Sequence, residues 1–134
     1  MKRSIFALVL LTSFAVHAQP SNLSVLKKSL NDMQPLSIKD SKGVITVVLD
    51  TPTVTPEIYD TAVYGVCYPV WLHKENTAYL KTTKAVQILN KFSFMGYALE
   101  NPRATCDKAG QEQPEQSKVT ISSNTHLATT KNIQ

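Results

Sequence analysis

Histidine, cysteine and glycine are scarce in this chain of 134 residues, and their scarcity excludes several kinds of enzyme. There are three histidines, two cysteines and four glycines. So few glycines leave little backbone able to close around a phosphate, and neither a phosphate-binding loop nor a G-x-S-x-G nucleophile elbow is present. Beyond the first eighteen residues, only His73 and His126 could join the two thiols as zinc ligands, which makes a metal site the weaker interpretation. We expect no metal and no cofactor.

Charges of one sign never form a long run. The formal net charge is +4, of which Lys2 and Arg3 contribute two, and the other lysines are scattered. A nucleic-acid-binding groove needs clustered basic residues interleaved with aromatic ones, and the sequence lacks that pattern. Nucleic acid is therefore not expected among the partners.

The only long apolar run stands at the start of the chain. Ser4 to Val16 is uncharged, follows the basic pair Lys2 and Arg3, and leads into Val16-His17-Ala18, which has small residues at the cleavage positions. This order is typical of a signal peptide, and the run is too short to cross a bilayer as a helix. We expect residues 1–18 to be removed near Ala18, no integral membrane segment, and a mature protein that is periplasmic or secreted.

Aromatic residues are absent from both flanks of the mature chain. Residues 19–53 and 109–134 contain none, so the zone from Pro56 to Cys106 should supply most of the core. We expect one globular domain over residues 19–108. The polar residues 109–134 bury too little apolar surface to offset the entropy of ordering them, which predicts a largely flexible tail with one candidate edge strand, Lys118 to Ser122.

Cys67 and Cys106 are the only cysteines. An even number of cysteines in an oxidising compartment indicates a disulfide, and the C-x-x-C spacing of redox enzymes is absent. A metal site, free thiols or an intermolecular pair are the alternatives. We expect one structural disulfide that closes a loop of roughly forty residues.

Hydrophobic periodicity predicts an α+β fold. Leucines at 23, 26 and 30 with Met33 recur at three- and four-residue steps, which predicts an amphipathic N-terminal helix capped at Ser21. The other predicted elements are a strand from Val44 to Leu49, a helix from Pro56 to about Cys67, a polar helix from Glu75 to Lys84, and strands at Ala85–Leu89 and Phe92 to Leu99 joined at Asn90-Lys91. We expect a small single domain with a mostly antiparallel sheet, one or two helices besides the N-terminal one, and one disulfide.

Catalytic residues are hard to find. His73 is the one credible general base, and Cys67 close to it in sequence cannot act as a nucleophile if it is disulfide-bonded. Glu57 and Asp60 are explained by the preference for carboxylates in the first turn of a helix. We therefore assign no catalytic residue and interpret His73 as a surface histidine.

Five residues are candidates for binding a partner: Tyr68, Trp71, His73, Lys74 and Arg103. Tyrosine and tryptophan dominate the hot spots of protein interfaces, so Trp71 and one or two tyrosines are expected to be partly exposed beside His73 and Lys74. Arg103 is the only arginine beyond residue 18 and could pair with a carboxylate of a partner. The alternatives are core burial for most aromatic residues and a solvated loop charge for Arg103.

These features favour a binding protein. The leading hypothesis is a small exported module that binds another envelope or secreted protein, such as an inhibitor or immunity protein acting against a cell-envelope enzyme. One alternative is a small secreted hydrolase or effector that uses His73. Another is an accessory component of an envelope assembly, docked through the helix from Ser21 to Met33. The oligomeric state is not predicted by the sequence.

Overall fold

Four α-helices and five strands make up the part of the chain that the computed structural model describes, residues 21–72 and 78–129. In chain order they are α1 (Asn22–Ser29), a 3-10 turn (Asn31–Met33), β1 (Ser37–Ser41), β2 (Val44–Val48), α2 (Pro56–Trp71), β3 (Ala85–Leu89), β4 (Met95–Glu100), α3 (Pro102–Gly110), α4 (Pro114–Ser123) and β5 (Thr125–Thr129). The α+β class is confirmed, and so is the disulfide between Cys67 and Cys106.

Local sequence signals explain where the helices begin. The Ser21 side chain accepts the Ser24 N–H at 3.1 Å at the start of α1. Each of the other three helices has proline in its first turn, where the missing N–H has no helical partner to lose. Helix α2 continues to Trp71, past the predicted end near Cys67. Pro69 is tolerated because it lies in the last turn, where it removes a single hydrogen bond.

The five strands form one sheet in the order β1-β2-β3-β4-β5. Three of the four strand pairs are antiparallel, and the parallel pair is β2 and β3, which α2 connects. A parallel pair needs a long crossover connection, and the helix between these strands provides it. The β1–β2 hairpin turns at Lys42 and Gly43, whose φ angles are 52° and 85°, as a two-residue hairpin turn requires.

The main core lies between the sheet and helices α1 and α2. One row of side chains crosses the sheet in register through Ile38, Val47, Ile88 and Tyr97. The first three are buried, Tyr97 is half-buried, and all four belong to the cluster that the helices cover. The alternation along each strand therefore directs one face of the sheet toward the helices.

The C-terminal part of the domain corrects the prediction of a flexible tail from residue 109. Helix α4 and strand β5 occupy most of residues 114–129, and Lys118 to Ser122 is helical instead of an edge strand. Ordering is possible because β5 pairs with β4 along its whole length and Ile121 packs against the main core. These stabilising contacts come from residues distant in sequence, so the composition of the segment alone did not indicate them.

The connections around β3 also differ from the prediction. In the predicted polar helix, residues 78–82 form turns, residues 83–84 are irregular, and residues 75–77 lie outside the described part of the chain. Tertiary hydrogen bonds hold these turns, since the Tyr79 hydroxyl donates to the Val66 carbonyl at 2.7 Å and the Leu80 N–H to Asn22 at 3.0 Å. The β3–β4 hairpin has a longer loop than predicted, so β4 begins at Met95.

Candidate functional site

A groove of about 730 Å³ runs between α2 and α4 on the helical side of the sheet. Its most buried lining residues are Val63 and Tyr59 of α2, which are 2% and 4% exposed, and Tyr97, Ile121 and Thr125 are half-buried beside them. The exposed residues of its rim include Asp60 and Tyr64 on α2, and Glu115, Lys118 and Val119 on α4. Most of this surface is apolar, with a few polar groups, a composition typical of binding sites.

The groove exists because α3 separates its two walls. Helix α3 packs against both α2 and α4, while α4 also contacts β5. The disulfide fixes α2 to α3 with a Cα–Cα distance of 5.1 Å between Cys67 and Cys106. The end of α3 meets Trp71, since a Cβ added at Gly110 would lie 2.5 Å from the indole ring. Glycine at position 110 therefore lets the two helices approach closely.

Three aromatic side chains extend the groove along the outer face of α2, and we call them the aromatic patch: Tyr64, Tyr68 and Trp71. Their spacing of four and three residues places them on one side of the helix. The ring centroids of Tyr64 lie 6.0 Å from Tyr68 and 5.2 Å from Trp71. Tyr64 is 59% and Tyr68 44% exposed, so much of this aromatic surface contacts solvent.

Trp71 connects the aromatic patch to the disulfide region. Its indole N–H donates to the carbonyl oxygen of Cys106 at 2.8 Å. The indole is thereby held between α2 and the end of α3, and it lines the groove with its ring. A large side chain that is fixed before binding loses little entropy when a partner arrives, which is a property of interface hot spots.

A pair of hydroxyl groups lies at the bottom of the groove. Tyr59 Oη is 2.7 Å from Thr125 Oγ1, and the Thr125 hydroxyl donates to the Ile121 carbonyl at 2.8 Å. Because the threonine proton is committed to a carbonyl, the Tyr59 hydroxyl must donate to threonine. Burial raises the pKa of Tyr59 to about 12, so its hydroxyl stays neutral at physiological pH.

The structure places the predicted partner-binding residues in two regions. Tyr68 and Trp71 both belong to the aromatic patch, where each ring lies against Tyr64. Arg103 lies in α3, where its Nε donates to Asp107 at 3.2 Å and its Nη1 to the Tyr79 carbonyl at 2.9 Å. It does not line the groove. His73 and Lys74 lie outside the described residues.

The α4 wall was missed by sequence reasoning. Val119 and Ile121 were assigned to the polar tail, although Pro114-Glu115 carries the same helix-start signal as Pro56-Glu57. Proline followed by a carboxylate at the end of the polar stretch was the feature that could have identified the second wall.

The structure describes two features on which the alternative functions partly rest, the Cys67 thiol and the N-terminal helix. Cys67 is buried and disulfide-bonded, so it has no thiol for a nucleophilic mechanism in the oxidised protein. The apolar face of α1 packs against α2 and β1 through Leu26 and Leu30, so that face is covered inside the domain. In residues 21–72 and 78–129, no cluster of three or more His, Cys, Asp or Glu side chains could hold a metal ion. No helix in these ranges is long and apolar enough to span a membrane.

Comparison of the chain with models of protein families, with curated proteins and with solved structures finds no match.

Proposed function

We propose that this protein is a small exported binding module that recognises another envelope or secreted protein through the groove and the aromatic patch. An inhibitor or immunity protein directed against a cell-envelope enzyme is the form of this function that the sequence favours. Binding would block the partner by occupying its surface, since this role needs a rigid recognition face and no catalytic group.

The exposed aromatic patch beside an apolar groove is the observation that supports this proposal. Tyr64 and Val119, which are 59% and 52% exposed, line the groove, and Tyr68, which is 44% exposed, stacks on Tyr64 beside it. Contiguous apolar surface costs solubility unless a partner covers it, and aromatic residues around a concave site are the usual anchors of protein interfaces. The disulfide joins α2 to α3, and α3 packs against α4, which supports a site that is formed before binding.

Affinity capture tests the proposal. The oxidised protein is immobilised, incubated with envelope extract, and the captured proteins are identified by mass spectrometry. The dissociation constant is then measured with the purified partner. The double variant Tyr64→Ser/Tyr68→Ser should weaken that complex by a factor of about ten or more, because loss of one hot-spot side chain costs more than about 1 kcal/mol.

The matched control is Phe92→Ser, which changes an aromatic residue that is 61% exposed in the loop between β3 and β4 and does not line the groove. It should leave the dissociation constant unchanged within about twofold. Failure to capture any partner, or equal weakening by both variants, would contradict the proposal.

Export is tested separately. Expression of the full chain in a bacterial host should yield a product that starts at Gln19 in the periplasmic or extracellular fraction. The variant Ala18→Arg should remain uncleaved, because signal peptidase requires a small residue before the cut. A full-length product that stays in the cytoplasm would contradict export.

A further inference from the structure

We propose that the groove binds a cationic amphipathic helix of the partner, with apolar side chains in the groove and lysine or arginine at its rim. The proposal rests on the proposed function and adds the chemistry of the segment that is recognised.

The bottom of the groove offers a hydrogen-bond acceptor and no free donor at its hydroxyl pair. The Thr125 hydroxyl donates to Ile121, and the Tyr59 hydroxyl donates to Thr125. Both protons are therefore used within the domain, and the Tyr59 oxygen has only lone pairs left for a ligand. A carboxylate that entered this part of the groove would therefore meet only acceptors, which disfavours an anionic segment.

The rim carries more negative than positive charge. Asp60 on α2 and Glu115 on α4 are exposed carboxylates that line the groove, against the single lysine Lys118. Among the described residues, Arg103 pairs with Asp107 and His126 Nε2 lies 3.5 Å from a Glu100 oxygen, and neither contact uses a rim carboxylate. Complementary charge steers a partner to its site and selects its orientation, which favours a cationic segment here.

The aromatic patch reinforces this preference. The faces of tyrosine and tryptophan rings carry negative potential and attract lysine and arginine side chains. Tyr64 and Trp71 line the groove and lie 5.2 Å apart between centroids, next to the rim carboxylate Asp60 one turn earlier on α2. Carboxylate and aromatic ring together form a site for one cationic side chain.

The shape of the groove fits a helix better than a strand. An added strand needs a free sheet edge along its length, whereas side chains of two helices line most of this groove. The 16 residues of α2 span about 24 Å. A partner helix of similar length would place apolar residues at every third or fourth position into the groove and leave its flanks at the rim.

Trp71 reports binding directly, because it is the only tryptophan of the chain and lines the groove. The probe is a tryptophan-free helical peptide of 18 residues, built from leucine and lysine with one apolar face. Two matched peptides replace lysine by glutamate, or leucine by serine. We expect a saturable change in Trp71 fluorescence with the leucine–lysine peptide, at least tenfold weaker binding of the leucine–glutamate peptide, and no binding of the lysine–serine peptide.

The overall charge of the protein makes this a demanding test. The chain is net positive, so unspecific electrostatic attraction would favour the anionic peptide. Preference for the cationic peptide therefore has to come from local charge at the binding site. Equal binding of both peptides, stronger binding of the anionic one, or undiminished binding of the lysine–serine peptide would overturn the proposal.

Reversal of the two rim charges tests whether Asp60 and Glu115 cause the preference for a cationic peptide. The double variant Asp60→Lys/Glu115→Lys should weaken binding of the leucine–lysine peptide about tenfold and strengthen binding of the leucine–glutamate peptide. The control Asp32→Lys/Asp50→Lys makes the same change of net charge at exposed residues that do not line the groove, and it should change binding less than twofold. Circular dichroism confirms that both variants are folded. Equal effects of the two double variants would overturn the proposal.

The outcome for the natural partner separates this proposal from the proposed function. A partner that loses affinity with Tyr64→Ser/Tyr68→Ser but is unaffected by charge reversal at Asp60 and Glu115 would support a binding module and overturn the cationic helix. A partner that loses affinity with the tyrosine double variant and also with the charge-reversal variant would support both the binding module and the cationic helix.

Discussion

At the scale of single residues, the sheet depends on a close approach at Gly96 in β4. An isolated glycine within a strand indicates a place where backbones come near each other, and the structure has that contact. A Cβ added at Gly96 would lie far inside van der Waals distance of the Ile88 carbonyl oxygen and 3.0 Å from the Leu89 Cα. Both obstacles are backbone atoms of the paired strand β3, which cannot move without breaking the sheet register.

The variant Gly96→Ala should therefore lower the free energy of unfolding by about 2 kcal/mol or more, because overpacking against backbone forces strands apart. Gly65→Ala is the matched control. There the added Cβ would lie 2.5 Å from the end of the buried Leu30 side chain, which can shift more readily than backbone, and alanine improves helix propensity, so a smaller loss is expected. Urea unfolding of both variants measures the two losses of stability. Equal destabilisation would contradict a specific need for glycine at position 96.

Buried tyrosine hydroxyls link stability to high pH. Desolvation raises the pKa of Tyr59 from 10.0 to about 12, and burial raises the pKa of Tyr79 as well. Below pH 10 each tyrosine hydroxyl is protonated in both the folded and the unfolded chain, so its contribution to the stability of the fold is fully present. Above pH 10 the unfolded chain releases the proton while the folded chain retains it, so stability falls as pH rises.

Tyr59 should account for a decrease of about 1.4 kcal/mol in unfolding free energy per pH unit between pH 10 and 12. Unfolding curves at pH 9, 10 and 11 measure the slope. In Tyr59→Phe, the slope over this range should be smaller by that amount, while the loss of the hydrogen bond to Thr125 lowers stability at pH 7 by about 1 kcal/mol. An unchanged slope would show that Tyr59 titrates normally.

At the scale of elements, α2 has the clearest sequence signals and also forms one wall of the groove. Thr55 caps it by accepting the Ile58 N–H at 3.2 Å, Pro56 follows in the first turn, and Glu57 supplies the carboxylate. These signals predicted the start of the helix at the correct residue. Its end was not predicted, because the last turn is fixed by Trp71 contacts with α3.

Removal of the Thr55 cap at the start of α2 should lower the stability of the protein. Thr55→Ala is expected to lower the free energy of unfolding by about 1 kcal/mol, because the Ile58 N–H loses its acceptor. Thr61→Ala, at an exposed position inside the same helix, should change stability by less than about 0.5 kcal/mol, since alanine has the higher helix propensity. Thermal unfolding followed by circular dichroism compares the two, and equal shifts would contradict a capping role.

Helix α4 shows why polar elements escape sequence analysis. Thr120 is buried and donates to the Glu112 carboxylate at 2.7 Å, and Asn124 donates to the Thr120 carbonyl at 2.9 Å. These side-chain bonds and the packing of Ile121 compensate for the low hydrophobicity of the segment. The sequence contains the participating residues, but their pairing depends on the position of α4 against α3 and β5.

At the scale of the whole molecule, the Cys67–Cys106 disulfide connects the two halves of the helical layer. It joins α2, which covers the sheet, to α3, which carries α4. The bond therefore stabilises the fold and also sets the spacing of the groove. Its two partners are 39 residues apart, so in the unfolded chain the bond removes considerable loop entropy.

Replacement of both cysteines by alanine should lower the free energy of unfolding by about 4 kcal/mol on the loop-entropy model. Urea unfolding of the oxidised protein, with and without a reductant, should give the same difference within about 1 kcal/mol. The reductant should have no effect on Cys67→Ala/Cys106→Ala, which controls for unspecific effects. Unaltered stability after complete reduction would show that packing alone holds α3 in place.

Local features of this protein follow from its amino-acid sequence. Spacing of apolar residues, β-branched runs, caps and prolines predicted α1, β2, most of α2 and β3, because their signals act within a few residues. The even cysteine count predicted the disulfide. Tertiary structure decided the order of the strands, the folding of residues 109–129 and the groove, because these depend on contacts between residues far apart in sequence. The candidate site was half predictable: the aromatic wall was visible in the sequence, whereas the α4 wall became recognisable only when β5 and α3 positioned it.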